Sequence, residues 1–123
     1  MNSKVFMVLR ILLGLYVLVF GLNKFMHFIP DFELGADGIA YFGALTSTKT
    51  ITLVAVVEIV AGLALITNKF GALLAIILMS ISVNAVLFHA TLDPGNSAGA
   101  IALLVLNIAV LVGYKDKYKA LLN

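Results

Sequence analysis

Four long apolar stretches, separated by short polar connections, make up most of the chain. They span residues 5–23, 51–66, 70–90 and 98–114. A helix that crosses the hydrocarbon core of a bilayer needs roughly 20 apolar residues, within a range of about 17–25. Four stretches that approach or reach this length predict four membrane-spanning helices, because a small soluble domain has too little interior to bury them all.

The connection between the first two stretches is the longest, and it predicts a short extra helix. Pro30 is expected to stop the first helix, and Asp37 is expected to cap a helix over about 38–47. This helix could cover a cavity or only pack on the bundle, and packing is the favoured interpretation. Aromatic side chains in this connection are typical of a membrane–water interface. They are Phe28, Phe32, Tyr41 and Phe42.

The other connections are short. Thr67-Asn68-Lys69 makes the second and third spans neighbours, and Asp93-Pro94-Gly95-Asn96 is a strong turn signal. The predicted fold is therefore all-α. It is a transmembrane four-helix bundle with a short interfacial helix between spans one and two, and residues 1–123 form a single domain.

Composition agrees with lipid as the main solvent. Hydrophobic residues make up 63% of the chain and charged residues 11%, against about 25% charged in an average soluble domain. The chain has no cysteine, which excludes disulfides and thiolate metal sites, and two histidines are a poor metal-ligand set. The net charge of +2 without a basic stripe argues against nucleic-acid binding.

The distribution of lysine and arginine predicts the orientation, because these residues accumulate on the cytoplasmic side. With both termini in the cytoplasm, that side carries Lys4, Arg10, Lys69, Lys115, Lys117 and Lys119, and the outer side carries Lys24 and Lys49.

Glu58 is the most informative residue, since it lies in the middle of the apolar run VAVVEIVAGLA. A charge at the centre of a membrane helix costs about 2.5–3.5 kcal/mol on insertion scales, so the carboxyl group needs a partner or a proton. The first span offers Arg10, Gly14, Val17, Gly21 and Lys24 on one helical stripe. Depth in the membrane favours Lys24 as the partner of Glu58, with Arg10 as the alternative.

Three further polar residues complete the predicted cluster. Asn84 and Asn107 are expected near the depth of Glu58, where they would hydrogen-bond the carboxylate. His89 lies on another face of its helix, about 140° from Asn84. Each has a structural alternative. The asparagines can join helices, Lys24 can extend to the interface, and Arg10 can set the topology.

The segments RILLGLYVLVFGLNK, EIVAGLAL and KFGALLAIILMS together resemble the DoxX family of small four-helix membrane proteins. The matching positions are Arg10, Gly14, Gly21, Lys24, Glu58 and Gly62. The resemblance implies a multi-pass protein of the bacterial cytoplasmic (inner) membrane. Some relatives are linked to a thiosulfate:quinone oxidoreductase and others to complexes that handle oxidative or thiol stress. Because this chain has no cysteine, it supplies no thiol chemistry itself.

Three functions remain open from the sequence. The first is a redox-linked membrane subunit that binds a quinone-like or other small ligand, or docks a soluble or membrane oxidoreductase. The second is a small proton-coupled transporter or channel, for which four helices would need to form a homo-oligomer. The third is a structural or assembly module in which the pair of Lys24 and Glu58 fixes which helices meet.

Overall fold

The computed structural model describes residues 1–31 and 33–122, and their regular structure is helical throughout. The α-helices are α1 (Ser3–Met26), α2 (Ala36–Ser47), α3 (Thr50–Thr67), α4 (Gly71–Leu92) and α5 (Ala98–Gly113). A 3-10 turn, Pro94–Asn96, joins α4 to α5, and a 3-10 segment, Lys115–Leu122, follows α5. Phe32, predicted to lie in the aromatic belt, is outside the described residues.

Three of the helices are long and apolar enough to cross a membrane, namely α1, α3 and α4. The fourth predicted span is shorter in the structure, because α5 has 16 residues. It reaches the required length only when the 3-10 segment is counted with it, and the two are bent by 77°. The structure therefore supports three to four spans.

The long helices pack around one shared core. Contacts join α1 to α3, α3 to α4, α4 to α5 and α5 back to α1, whereas α2 contacts α3. The buried core contains Leu13, Val17, Ala61, Leu65, Ala75, Leu78, Leu103, Val110 and Tyr114. Many large apolar side chains point away from this core and are exposed, for example Leu63, Leu73 and Val105. An apolar outer surface of this kind is suited to contact with lipid.

The closest helix pair is α1 with α3, and glycines make the approach short. A Cβ added at Gly62 would lie 2.8 Å from the Gly14 carbonyl oxygen, and one at Gly21 would lie 3.0 Å from Glu58 Cβ. The predicted inward stripe of α1 is confirmed, since Arg10, Gly14, Val17 and Gly21 are buried. Small residues favour helix association in membranes because the backbones can then pack closely.

Two predicted helix ends are wrong. α1 ends at Met26, four residues before Pro30, because His27 adopts a left-handed conformation (φ 51°) and its N–H bonds to the Asn23 carbonyl. α2 begins at Ala36 with Gly35 as its N-cap, so Asp37 lies inside the first turn instead of capping it. An acidic side chain there still interacts favourably with the helix dipole.

Candidate ligand-binding site

A cavity of about 830 Å³ lies at the end of the bundle that α2 covers, which we call the α2 end. All five α-helices and the Pro94–Asn96 turn contribute to its lining. It forms where the C-terminal parts of α1 and α4 meet the N-terminal parts of α3 and α5. Ligand sites in proteins are typically of about 300–1,000 Å³, mostly apolar, with a few convergent polar groups.

The ion pair between Lys24 and Glu58 lies in the wall of this cavity. Lys24 Nζ is 2.6 Å from Glu58 Oε1, and the side chains are 24% and 5% exposed. Glu58 Oε1 is buried and accepts no hydrogen bond from any other described residue, while Lys24 Nζ also lies 3.5 Å from the Phe20 carbonyl oxygen. The carboxylate therefore depends on Lys24, as the sequence predicted for this pair.

Two groups of aromatic rings form opposite parts of the lining. On α1, Tyr16 and Phe20 stack with ring centroids 4.8 Å apart. On the other side, Tyr41 of α2 stacks on Phe88 of α4 at 4.9 Å, and Phe42 meets Phe88 edge-on at 5.0 Å. These surfaces suit a flat or apolar ligand body, because aromatic rings prefer stacked and edge-to-face contacts.

Polar groups on α4 complete the lining. Asn84 Nδ2 donates to the Tyr41 hydroxyl at 2.8 Å, which ties α2 to α4 across the cavity. His89 Nδ1 lies 3.1 Å from Asp93 Oδ2, and Asn96 donates to the other oxygen of Asp93 at 2.9 Å. Asn84 and His89 thus share a cavity although they lie on different faces of α4.

Arg10 lies at the opposite end of the bundle from Glu58. Its guanidinium donates to the carbonyl oxygens of Leu65 and Ile66, in the last turn of α3. Carbonyls at a helix C-terminus lack intrahelical partners and carry partial negative charge, so a buried cation stabilises them. The alternative pairing of Arg10 with Glu58 is wrong. Arg10 instead bonds the free carbonyl oxygens at the C-terminus of α3.

Asn107 is also separate from the cavity. Its Nδ2 donates to the Ala75 carbonyl at 3.0 Å, and its Oδ1 accepts from Ser82 Oγ at 2.7 Å. The amide nitrogen and the amide oxygen of Asn107 thus both bond to α4, and the Asn107 side chain is fully buried. The prediction that Asn84 and Asn107 hydrogen-bond Glu58 is therefore wrong. Asn84 bonds Tyr41 of α2, and Asn107 bonds Ala75 and Ser82 of α4.

Sequence reasoning missed the aromatic walls. From the sequence, Tyr16 and Phe20 have no predicted role, and Tyr41 and Phe42 are predicted only as part of an interfacial belt. A usable signal was present, because Tyr16, Phe20 and Lys24 are spaced four apart and therefore lie on one face of a helix. Asp93 was taken only as a turn residue, although it is buried beside His89.

The arrangement offers hydrogen bonding and proton exchange more readily than metal chemistry. Lys24 is a donor and Glu58 an acceptor on the same wall, so a ligand hydroxyl could bond both, whereas a ligand carbonyl could accept from Lys24. Within the described part of the chain, no group of three or more His, Asp or Glu side chains is placed to hold a metal ion. The polar head of a ligand would therefore have Lys24 and Glu58 as partners, and its apolar body would contact the aromatic rings of the lining.

Comparison with known protein families shows which family the chain matches. The family model described as DoxX matches residues 5–91, which include all of α2 and α3 and nearly all of α1 and α4. Lys24, Glu58, Asn84 and His89 fall within the matched region, and α5 lies beyond it. No curated protein and no solved structure matches the chain significantly.

Proposed function

Because this chain belongs to the DoxX family of membrane proteins, we propose that it is a redox-linked membrane subunit. Its cavity binds a small ligand with an apolar, ring-containing body, and a quinone-like molecule is the first candidate. A carbonyl of the polar head accepts from Lys24, a hydroxyl of the reduced form can in addition donate to Glu58, and the body contacts the aromatic walls. The redox assignment comes from the family resemblance, as does a partner oxidoreductase that would supply or take electrons.

One observation carries the ligand-binding proposal: the ion pair is buried, yet it lines a cavity of about 830 Å³. A pair that served only to join two helices would have no need of an adjacent cavity. Ionisable groups inside a membrane protein usually face such cavities and take part in function.

The proposed topology has four spans, α1, α3, α4 and α5, in one domain. α2 lies in the outer interface, where it covers the cavity, and both termini lie in the cytoplasm. Lys69, Lys115, Lys117 and Lys119 then face the cytoplasm, as the distribution of positive charge favours. The membrane is the bacterial cytoplasmic membrane, as the family resemblance implies.

A binding titration tests the ligand. The purified full-length chain in detergent is titrated with a short-tailed benzoquinone. The four tyrosines and the absence of tryptophan make tyrosine fluorescence quenching a direct readout, because Tyr16 and Tyr41 line the cavity. We expect saturable quenching that weakens at least tenfold in Lys24→Met, which removes the donor to the quinone carbonyl, and in Glu58→Gln, which removes the carboxylate that positions the Lys24 ammonium. Ser82→Ala is the matched control, since Ser82 is buried and bonds Asn107 outside the cavity.

Absence of saturable quenching in the wild type would exclude a quinone-like ligand. Equal affinity of the wild type and both cavity variants would show that the ligand binds elsewhere, and the proposed role of the ion pair would then be wrong.

A structural role of the pair is the second candidate function. It is favoured by the close packing of Gly21 against Glu58, where an added Cβ would lie 3.0 Å from Glu58 Cβ. The double variant Lys24→Met/Glu58→Leu distinguishes the two. A structural role predicts that the folded double variant retains the cellular phenotype of the wild type, whereas a binding role predicts its loss.

A further inference from the structure

The end of the bundle opposite the α2 end carries an unusual concentration of lysine, and we call it the basic end. Lys4 lies in the first turn of α1, and Lys69 lies in the α3–α4 connection. Lys115, Lys117 and Lys119 lie in the 3-10 segment. All five are exposed. Among residues 1–31 and 33–122, Asp116 is the one acidic residue at this end, so the surface has a large positive charge.

The 3-10 segment lies across this end because it bends by 77° away from α5. Its position is fixed by two tyrosines. Tyr114 donates to Asn68 Oδ1 at 2.5 Å, and Tyr118 donates to the Ala72 carbonyl in the first turn of α4 at 2.8 Å. The segment is therefore attached to the α3–α4 connection and does not extend away from the bundle.

The same end also exposes large apolar side chains. Leu121 and Leu122 at the end of the segment are 71% and 81% exposed, and Phe70 beside Lys69 is 78% exposed. Phe70 is held in a left-handed conformation (φ 60°), which an L-residue seldom adopts. Exposed leucine and phenylalanine next to lysine is the composition of segments that lie in a membrane interface.

We propose that the basic end is a binding surface for anionic phospholipid. The lysines of the 3-10 segment and Lys69 bind the phosphodiester headgroups, and Phe70, Leu121 and Leu122 enter the boundary between headgroups and acyl chains. The complementary charge selects anionic over zwitterionic lipid. The tyrosine bonds hold the lysines at the level of the headgroups, because they keep the segment across the ends of α3 and α4.

Lipid titration of the purified full-length chain tests this proposal. Native mass spectrometry measures binding of phosphatidylglycerol and, separately, of phosphatidylcholine with the same acyl chains. The wild type is expected to prefer phosphatidylglycerol. Each lysine near an anionic surface contributes about a fivefold change in affinity, so Lys117→Gln should weaken phosphatidylglycerol binding several-fold. Lys49→Gln at the α2 end is the matched control and should leave the binding unchanged.

The triple variant Lys115→Gln/Lys117→Gln/Lys119→Gln should lose most of the preference. Should that variant fail to insert or fold, a salt titration of the wild type gives the same information, because raising the salt concentration screens exposed charges. The preference should disappear at high salt.

Equal binding of the two lipids by the wild type, or a preference that persists both in the folded triple variant and at high salt, would overturn the proposal. So would binding of polyglutamate without any lipid preference, since the basic end would then be a docking surface for acidic protein.

Discussion

Removing Lys24 is the sharpest test of how the buried carboxylate is stabilised. In Lys24→Met the side chain keeps a similar length, but Glu58 loses the ammonium that lies 2.6 Å from Oε1. Breaking a buried ion pair from one side typically costs about 3–5 kcal/mol, because the other charge is left without a partner.

The structure places the expected cost at or below the lower end of that range. Protonating an ordinary glutamate at pH 7 costs about 3.7 kcal/mol, which sets a ceiling, since the variant can always lose the charge in that way. The cavity beside the pair also gives water a route to the carboxylate. We therefore expect Lys24→Met to lower the free energy of unfolding by about 2–3.5 kcal/mol.

Glu58→Gln should cost less, about 1 kcal/mol, because Lys24 is 24% exposed and its ammonium can turn toward the cavity. In Lys24→Met/Glu58→Gln no unpaired charge remains, so the double variant should be more stable than Lys24→Met alone. The assay is unfolding in mixed micelles by a denaturing detergent, followed by far-ultraviolet circular dichroism.

Equal stability of Lys24→Met and the double variant, within about 0.5 kcal/mol, would refute this reasoning. A larger loss in Glu58→Gln than in Lys24→Met would refute it as well.

Three other predictions follow from packing, hydrogen bonding and titration. Gly62→Ala should cost about 1–3 kcal/mol of unfolding free energy by overpacking α1 against α3, whereas Gly43→Ala, which has open space around it, should stabilise α2 by up to about 1 kcal/mol; a loss in both would contradict the packing argument. Asn107→Leu should cost about 1 kcal/mol, since it removes two interhelical bonds of about 0.6 kcal/mol each, and should leave quinone affinity unchanged in the fluorescence titration. Burial raises the pKa of Tyr118 to about 12, with Tyr114 contributing, so the unfolded chain ionises first and unfolding free energy should fall above about pH 10. Ultraviolet titration should show the highest tyrosine transition disappear in Tyr118→Phe, and its persistence would show that another tyrosine is responsible.

Much of the fold was predictable from apolar length and from a few periodic positions. The stripe from Arg10 to Lys24 indicated the buried face of α1, because residues three and four apart share a face. The partner of Glu58 was predicted from depth, since the flexible Lys24 side chain at the end of α1 can reach Glu58 at the middle of the adjacent α3. The helix ends were less predictable, because a left-handed residue such as His27 can end α1 before Pro30 does.

Whether α2 covers a cavity or only packs on the bundle could not be decided from the sequence, because the cavity arises from the way α2 lies over the bundle. Tyr41 and Phe42 were predicted as part of an interfacial belt, and their packing on Phe88 adds a contact that the belt prediction did not include. A periodic pattern shows which residues share a face but gives no information about a gap between helices. Likewise, Asn107 has a depth that suits Glu58, but it faces α4 and bonds Ala75.

The contacts of α1 with α3 at both ends have a consequence for biogenesis. The two cations on the buried stripe of α1, Arg10 and Lys24, bond to residues that are synthesised much later, at Leu65 and at Glu58. Neither has its partner while α1 is the newest helix in the translocon. Once Ile66 has been synthesised, both cations can reach their partners, so α1 and α3 can pair before α4 and α5 are made.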